Sequence, residues 1–296
     1  MKILTKIFLF ILLVLGNIDL AGQTAGSHKI DFDSQEEMYG FFGFRQDGSI
    51  LISGHRGGRE RGFPENSIEA MEDVLKYMPA FFEIDPRLTK DSVIVLLHDN
   101  ALDRTTTGHG KLSDFTYAEL QDIRLRDHMG NPTECKIPTL EEVIVWSKGK
   151  TVINLDKKDV PMHMIAELIA KHKAERHVML TVHTGAQARY YYDRSPNIML
   201  SVFSRNESEF HDISISGVPW KNMIAYVGPT INENNIAIVA QWNDRGVRCM
   251  VSFSPTHDKL TDISARKKNY IQELELKPDI VESDYPTEVW FCIPEH

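Results

Sequence analysis

The chain has 296 residues, 42% of them hydrophobic and 25% charged, which is the balance of a globular protein that can bury a full core. A net charge of −9 has the wrong sign for gripping a nucleic-acid backbone, and beyond the first thirty residues no apolar run approaches the roughly 18 residues that cross a bilayer. Cys135, Cys249 and Cys292 are too few and too scattered for a disulfide scaffold or a thiolate zinc site.

At the N-terminus Lys2 and Lys6 precede an unbroken apolar segment, residues 7–15, which gives way to small residues around Ala21-Gly22. That layout reads as a signal peptide over residues 1–22, so the chain is expected to be exported to a periplasmic or extracellular space; an uncleaved anchor is the rival. Residues 23–48, with Tyr39, Phe41, Phe42 and Phe44, are expected to form a lead-in that covers the bottom of the fold. From residue 49 a short apolar, β-branched run alternates with an amphipathic stretch, the pattern of βα units around a parallel sheet. Strands are predicted at residues 50–54, 81–85, 93–98, 151–156, 178–183, 198–202, 223–227, 247–252 and 279–283, and helices at 67–77, 139–147, 163–171 and 263–274, among others. No linker or second composition regime interrupts the pattern, which makes the expected fold α/β, one (β/α)8 TIM barrel over residues 49–296. Nine strand candidates for eight places leave one of them peripheral or misread.

Polar residues gather at the predicted strand ends, where a barrel builds its site. The first strand ends in His55-Arg56-Gly57-Gly58 and is followed by Pro64-Glu65-Asn66-Ser67, whose Asn or Ser can cap the next helix. Glu83 and Asp85 alternate about Ile84, so both carboxylates face inward, and oxygen ligands of this kind suit Mg²⁺ or Ca²⁺. The run at 93–98 ends in His98-Asp99; for His98 to share an end with Asp85, residues 86–92 must return to the far end, and seven extended residues reach about 23 Å. Asn154, Asp156 and Lys158 alternate on one face, where Asp156 can complete the carboxylate set and Lys158 can meet a phosphate as a point charge. Singly, each signal has a plain structural reading: a carboxylate paired with Arg87 or Lys90, a structural histidine, an Asp–Lys salt bridge. Their joint appearance at four successive strand ends favours a site.

These residues, together with Thr89-Lys90-Asp91, the run from Leu102 to Gly110 (Leu-Asp-Arg-Thr-Thr-x-Gly-x-Gly), Ile137-Pro138-Thr139-Leu140-Glu141-Glu142 and Ser283-Asp284-Tyr285-Pro286, resemble the glycerophosphodiester phosphodiesterases over most of residues 50–286. The resemblance implies a phosphatidylinositol-phospholipase-C-like barrel and metal-assisted cleavage of glycerophosphodiesters to glycerol 3-phosphate and an alcohol. It implies His55 and His98 as the acid/base pair, Glu83 and Asp85 as metal ligands and Arg56 as a phosphate ligand. Two stretches depart from the family: Asp156-Lys157-Lys158 stands where a Glu-x-Lys motif is usual, and Met250-Val251-Ser252-Phe253-Ser254 where a Trp-Thr pair commonly ends a strand.

The expected cofactor is thus one divalent cation, Mg²⁺ or Ca²⁺, on Glu83, Asp85 and Asp156, with Arg56 and Lys158 toward a small phosphodiester substrate. If the histidines end the first and third strands and the carboxylates the second and fourth, the imidazoles flank the phosphate. The rivals are a lyase that stops at a cyclic phosphate and a non-catalytic phosphosugar-binding barrel. A zinc amidohydrolase would need a His-x-His pair and a serine hydrolase a Gly-x-Ser-x-Gly elbow; neither occurs.

Overall fold

Strand alternation sorts the side chains of the barrel strands into two apolar clusters and a polar end. A computed structural model describes residues 28–60 and 62–294; the predicted signal peptide lies outside the described residues. The strands are β1 (Leu51–Gly54), β2 (Phe81–Ile84), β3 (Pro86–Leu88), β4 (Ile94–Leu96), β5 (Ile153–Leu155), β6 (Val178–Val182), β7 (Met199–Phe203), β8 (Met223–Gly228), β9 (Cys249–Ser252) and β10 (Ile280–Ser283). The helices are α1 (Gln35–Phe42), α2 (Ile68–Leu75), α3 (Leu140–Ser147), α4 (Met162–His172), α5 (Gly185–Arg194), α6 (Glu207–Ser214), α7 (Ile236–Asn243), α8 (Ile263–Leu274) and α9 (Pro286–Trp290). Eight strands close into a parallel barrel in the order β1-β10-β9-β8-β7-β6-β5-β2, so the chain is a single-domain (β/α)8 barrel.

One parity of each barrel strand faces the helices: Ile52, Phe82, Ile84, Ile153, Leu155, Leu180, Val202 and Val251 share a core with Met71 and Val74 of α2, Ile144 of α3, Ile169 of α4 and Tyr270 of α8. The other parity lines the interior. At the N-terminal ends of the strands these inward residues are apolar, and Phe81, Val152, Met179, Met199, Ile224, Met250 and Ile280 form a second cluster with Met38, Tyr39 and Phe42 of α1. Helix α1 starts at Ser34, whose hydroxyl accepts from the Glu37 amide, and its Phe42 ring meets Phe81 edge-on at 5.4 Å. Two residues further along the strands the inward positions turn polar yet stay buried, as at Ser53, Glu83, Asn154, Thr181, Ser201, Ser252 and Glu282. The barrel is therefore stoppered at one end and polar at the other.

The peripheral strand is the one at 93–98, and residues 86–92 do not run back to the far end as expected. Pro86–Leu88 continues upward from β2 and pairs antiparallel with Ile94–Leu96. The turn between them is fixed by Thr89, whose hydroxyl donates to Asp91 and accepts from the Val93 amide, with Ser92 at φ 63. Residue run 93–97 reads as a barrel strand because it is apolar on both faces. One face instead covers the barrel core through Leu96, and the other joins Val95 and Leu97 to Leu102, Leu112, Leu120, Leu125 and Ile137 in a small core of its own. This hairpin and the loop after it form a cap beside the barrel mouth. Among the described residues the three cysteines are free, and no helix is long and apolar enough to cross a membrane.

Candidate active site

After β1 the chain makes one tight turn, with Arg56, Gly57 and Gly58 at φ 54, 82 and 92. The two glycines accept this left-handed backbone without strain, and the turn aims the Arg56 amide at Glu83 Oε2, 2.8 Å away. His55 Nδ1 lies 2.6 Å from Asp284 Oδ1, which leaves Nε2 facing the barrel, 3.9 Å from Glu83. His98 arrives on the end of β4, so it ends a cap strand and not the third barrel strand; Arg87 fastens that end by donating to the His98 carbonyl at 2.6 and 2.8 Å. His98 Nδ1 lies 2.7 Å from Asp99 Oδ1, and Asp99 in turn accepts two bonds from Arg104 at 2.7 and 3.0 Å. The two imidazoles are built alike, each held through Nδ1 by a carboxylate and each presenting Nε2.

Carboxylate oxygens of Glu83, Asp85 and Asp156 lie within 4.8 Å of one another. Asp85 is clamped by Asn66, whose Nδ2 donates to Oδ2 at 2.7 Å and whose Oδ1 accepts from the Asp85 amide at 2.9 Å. Lys158, expected on a phosphate, sits among the carboxylates, 2.6 Å from Asp156 and 3.0 Å from Asp85. Neither Arg87 nor Lys90 takes up a carboxylate of the site: Arg87 pairs with Asp159 at 2.9 Å. An oxygen-only set of three converging carboxylates fits a hard divalent cation.

The local fields follow from this packing. Burial drives Glu83 well above the ordinary carboxylate range, and the charge of Asp85 adds to it. Burial works in the same direction on Asp156, but Lys158 outweighs it and the carboxyl is lowered. Burial would depress His55, yet the bond to Asp284 and the charges of Glu83 and Glu282 raise it to about 9. Burial depresses His98, against the opposing pull of Asp85 and Asp99. The Arg104 bond holds Asp99 far below its usual value.

A cavity of about 260 Å³ opens at the mouth, walled by His55, Glu83, Asn154, Asp156 and Glu282 on one side and by Phe203, Arg205 and Tyr226 on the other. Several site residues have no role assigned by the sequence motifs. Glu282 and Asp284 alternate at the end of β10 as Glu83 and Asp85 do at β2, and the same alternation could have marked them. Glu65 is buried and accepts from both Arg56 and Arg104; nothing local to residues 64–67 announces that pairing. Of the two candidate caps, Ser67 caps α2 by accepting from the Ala70 amide, which leaves Asn66 for Asp85.

The sequence profile of the Glycerophosphoryl diester phosphodiesterase family matches residues 55–230, more than half of the chain. A crystal structure of a glycerophosphoryl diester phosphodiesterase from Parabacteroides distasonis is 47% identical, with a TM-score of 0.88 over 90% of this chain and 94% of that one. The Bacillus subtilis protein YhdW is 42% identical over 113 residues, which are 38% of this chain and 46% of that protein; the match thus spans less than half of this curated relative. An Oleispira antarctica phosphodiesterase, solved in complex with the product sn-glycerol-3-phosphate, shares the fold at 20% identity, with a TM-score of 0.61 over 86% of this chain and 98% of that one. With the family's matched segment beginning at His55 and running through the carboxylate cluster, the chain belongs to the glycerophosphoryl diester phosphodiesterase family.

Proposed function

We propose that this protein hydrolyses glycerophosphodiesters to glycerol 3-phosphate and an alcohol, with one divalent cation, Mg²⁺ or Ca²⁺, held by Glu83, Asp85 and Asp156. The observation that carries this reading is the pair of histidines, each with Nδ1 bound to a carboxylate, beside three carboxylates that meet within 4.8 Å. A phosphodiester resists attack because its own charge repels nucleophiles and its alkoxide leaves poorly. A bound cation at the carboxylates supplies charge neutralisation for the phosphoryl oxygens.

The chain's own residues do the rest. Arg56, anchored on Glu65, presents guanidinium N–H groups to a phosphate oxygen. Lys158 keeps Asp85 and Asp156 close together and lends a positive charge to the same region. One imidazole accepts through Nε2 the proton of the attacking water, or of the glycerol 2-hydroxyl with water then opening the cyclic phosphate, and the other gives a proton to the departing oxygen. Asp284 and Asp99 fix the tautomer of each ring and stabilise it when it is charged. The mouth cavity is of a size for the glycerol half, with the serine, threonine and asparagine side chains of its floor as hydroxyl partners.

The test is release of glycerol 3-phosphate from a panel of glycerophosphodiesters, with and without chelator, with the products followed by phosphorus NMR. Expected are release that chelator abolishes and Mg²⁺ or Ca²⁺ restores, and a drop in kcat of about 10²–10⁴-fold in His55→Ala and in His98→Ala. Full activity in excess chelator overturns the metal reading, and a cyclic phosphate as the end product assigns a lyase.

A further inference from the structure

The loops that fasten the two histidines also enclose a second cavity, of about 340 Å³, outside the barrel mouth; Arg59, Glu65, Arg104, Thr105 and Arg126 are in its walls. Arg56 is in the wall of neither space but bonds to a wall residue of each. Its amide donates to Glu83, which lines the mouth, and its guanidinium donates to Glu65, which lines the second cavity. A phosphate held at Arg56 would therefore lie between residues of the two walls.

Three guanidiniums stand in its walls with the carboxylates of Glu65 and Asp127; Arg59 also pairs with Asp284 at 3.0 Å and Arg104 with Asp99. The single buried carboxylate, Glu65, already faces three guanidiniums: Arg56 at 3.1 Å, Arg104 at 2.8 Å and Arg59 at 3.8 Å. Asp127, also in the wall, is turned into its own loop, where it accepts from the amides of Met129 and Asn131 and from the Asn131 side chain. Arg126 is braced by the carbonyls of Thr106 at 2.8 Å and Gly130 at 2.9 Å, and among the described residues no carboxylate lies within ion-pair reach of it. Thr105 is 5% exposed, and among the described residues neither its buried Oγ1 nor the buried Nε of Arg59 has a hydrogen-bond partner. Buried donors without acceptors are costly and rare, and a braced arginine beside them is a preformed seat for anionic oxygen.

We propose that this cavity is an anion subsite that receives a phosphate carried by the leaving alcohol, so that the protein selects glycerophosphodiesters whose head group bears a second phosphate. The proposal rests on the proposed hydrolysis, in which the scissile phosphodiester lies at Arg56 with its glycerol in the barrel mouth. Arg126 supplies the unpaired charge, and Thr105 Oγ1 and Arg59 Nε each donate one bond.

The test compares glycerophosphoinositol with glycerophosphoinositol 4-phosphate, which differ by one phosphate. The wild type is expected to favour the phosphorylated substrate by about tenfold in kcat/KM, the scale of one charge-assisted contact. Arg126→Gln is expected to bring that ratio to within about twofold of unity, with turnover of glycerophosphoinositol unchanged. Thr105→Val, which keeps the shape and removes the hydroxyl, is expected to lower the ratio without lowering thermal stability. A wild-type ratio near unity, or one that neither variant changes, overturns the subsite. Calorimetry with free myo-inositol 4-phosphate separates the two readings. If neither substrate yields glycerol 3-phosphate, the proposed reaction falls, and the subsite then stands on saturable binding by the wild type that Arg126→Gln loses, or falls with the absence of binding.

Discussion

Asn66 shows how much of this site depends on residues that hold its carboxylates in place. It is held at φ 59, a conformation asparagine tolerates better than most residues, and from there it bonds both the carboxylate and the amide of Asp85. Partners of metal-binding carboxylates typically change affinity by about 10–100-fold when removed. Asn66→Ala is therefore expected to weaken Mg²⁺ or Ca²⁺ binding by that factor in calorimetric titration. Asn66→Gly, which removes the side chain without backbone strain, should show the same loss; recovery of affinity in the glycine variant would assign the effect to backbone conformation instead. At this scale the sequence is legible wherever alternation within one strand defines a face, as for Glu83 and Asp85 or Asn154 and Asp156. It is not legible for partners far apart in the chain: His55 and Asp284 are separated by 229 residues, and only closure of the barrel by β1 beside β10 brings them together.

Among the elements, the hairpin of β3 and β4 matters most to the proposed mechanism, because it delivers His98 from the cap. Besides the Leu97 amide on the Asp85 carbonyl, it is fastened by Arg87, whose guanidinium bonds the carbonyls of Leu97 and His98 and the carboxylate of Asp159 just beyond β5. Arg87→Ala is expected to lower kcat by about tenfold or more, since misplacing a proton-transfer group by an ångström costs on that order or beyond, while the barrel remains folded. Hydrogen exchange should quicken at residues 94–99 and stay unchanged in β6 to β9; unchanged kcat alongside that local loosening would remove Arg87 from His98 positioning. The helices beginning at Ser67 and Thr139 are readable because their caps and apolar faces are local, and Thr139 with Glu142 completes a capping box. The hairpin escapes a reading by pattern because a strand sandwiched between two cores carries the same continuous apolar run as a barrel strand.

Taken whole, the molecule separates stability from chemistry along the barrel axis. The apolar cluster around Phe42 and Phe81 closes one end, and the ionisable residues crowd the other. His177, just before β6, belongs to the structural side. Burial lowers its pKa to about 4, with the charges of Lys148 and Arg176 adding to the effect and Asp31 and a bond to the Ile144 backbone opposing it. In the unfolded chain a histidine takes its proton near 6.5, so the unfolded state binds it first as pH falls. The stability linked to His177 is therefore fully present above about pH 6.5 and is lost between there and about pH 4. Thermal melts of the wild type and His177→Asn should diverge most at neutral pH and converge as the pH drops through that window; a constant difference would show that this histidine titrates alike in both states. The fold class and the polar end of the barrel can be read from the pattern of short strands. The layering inside it cannot, because which inward residues meet depends on the stagger of eight strands.

The stoppered end has a further consequence for how the molecule can be mounted. The described chain enters there, with the His28 amide on the Leu75 carbonyl and the Ile30 amide on that of Lys150, before α1 seals the cluster. A partner joined directly at residue 28 would thereby be attached at the end opposite the mouth. A protein tethered by that end, whether to a bilayer, a bead or a fusion partner, would present its mouth outward to dissolved substrates and away from the surface that holds it.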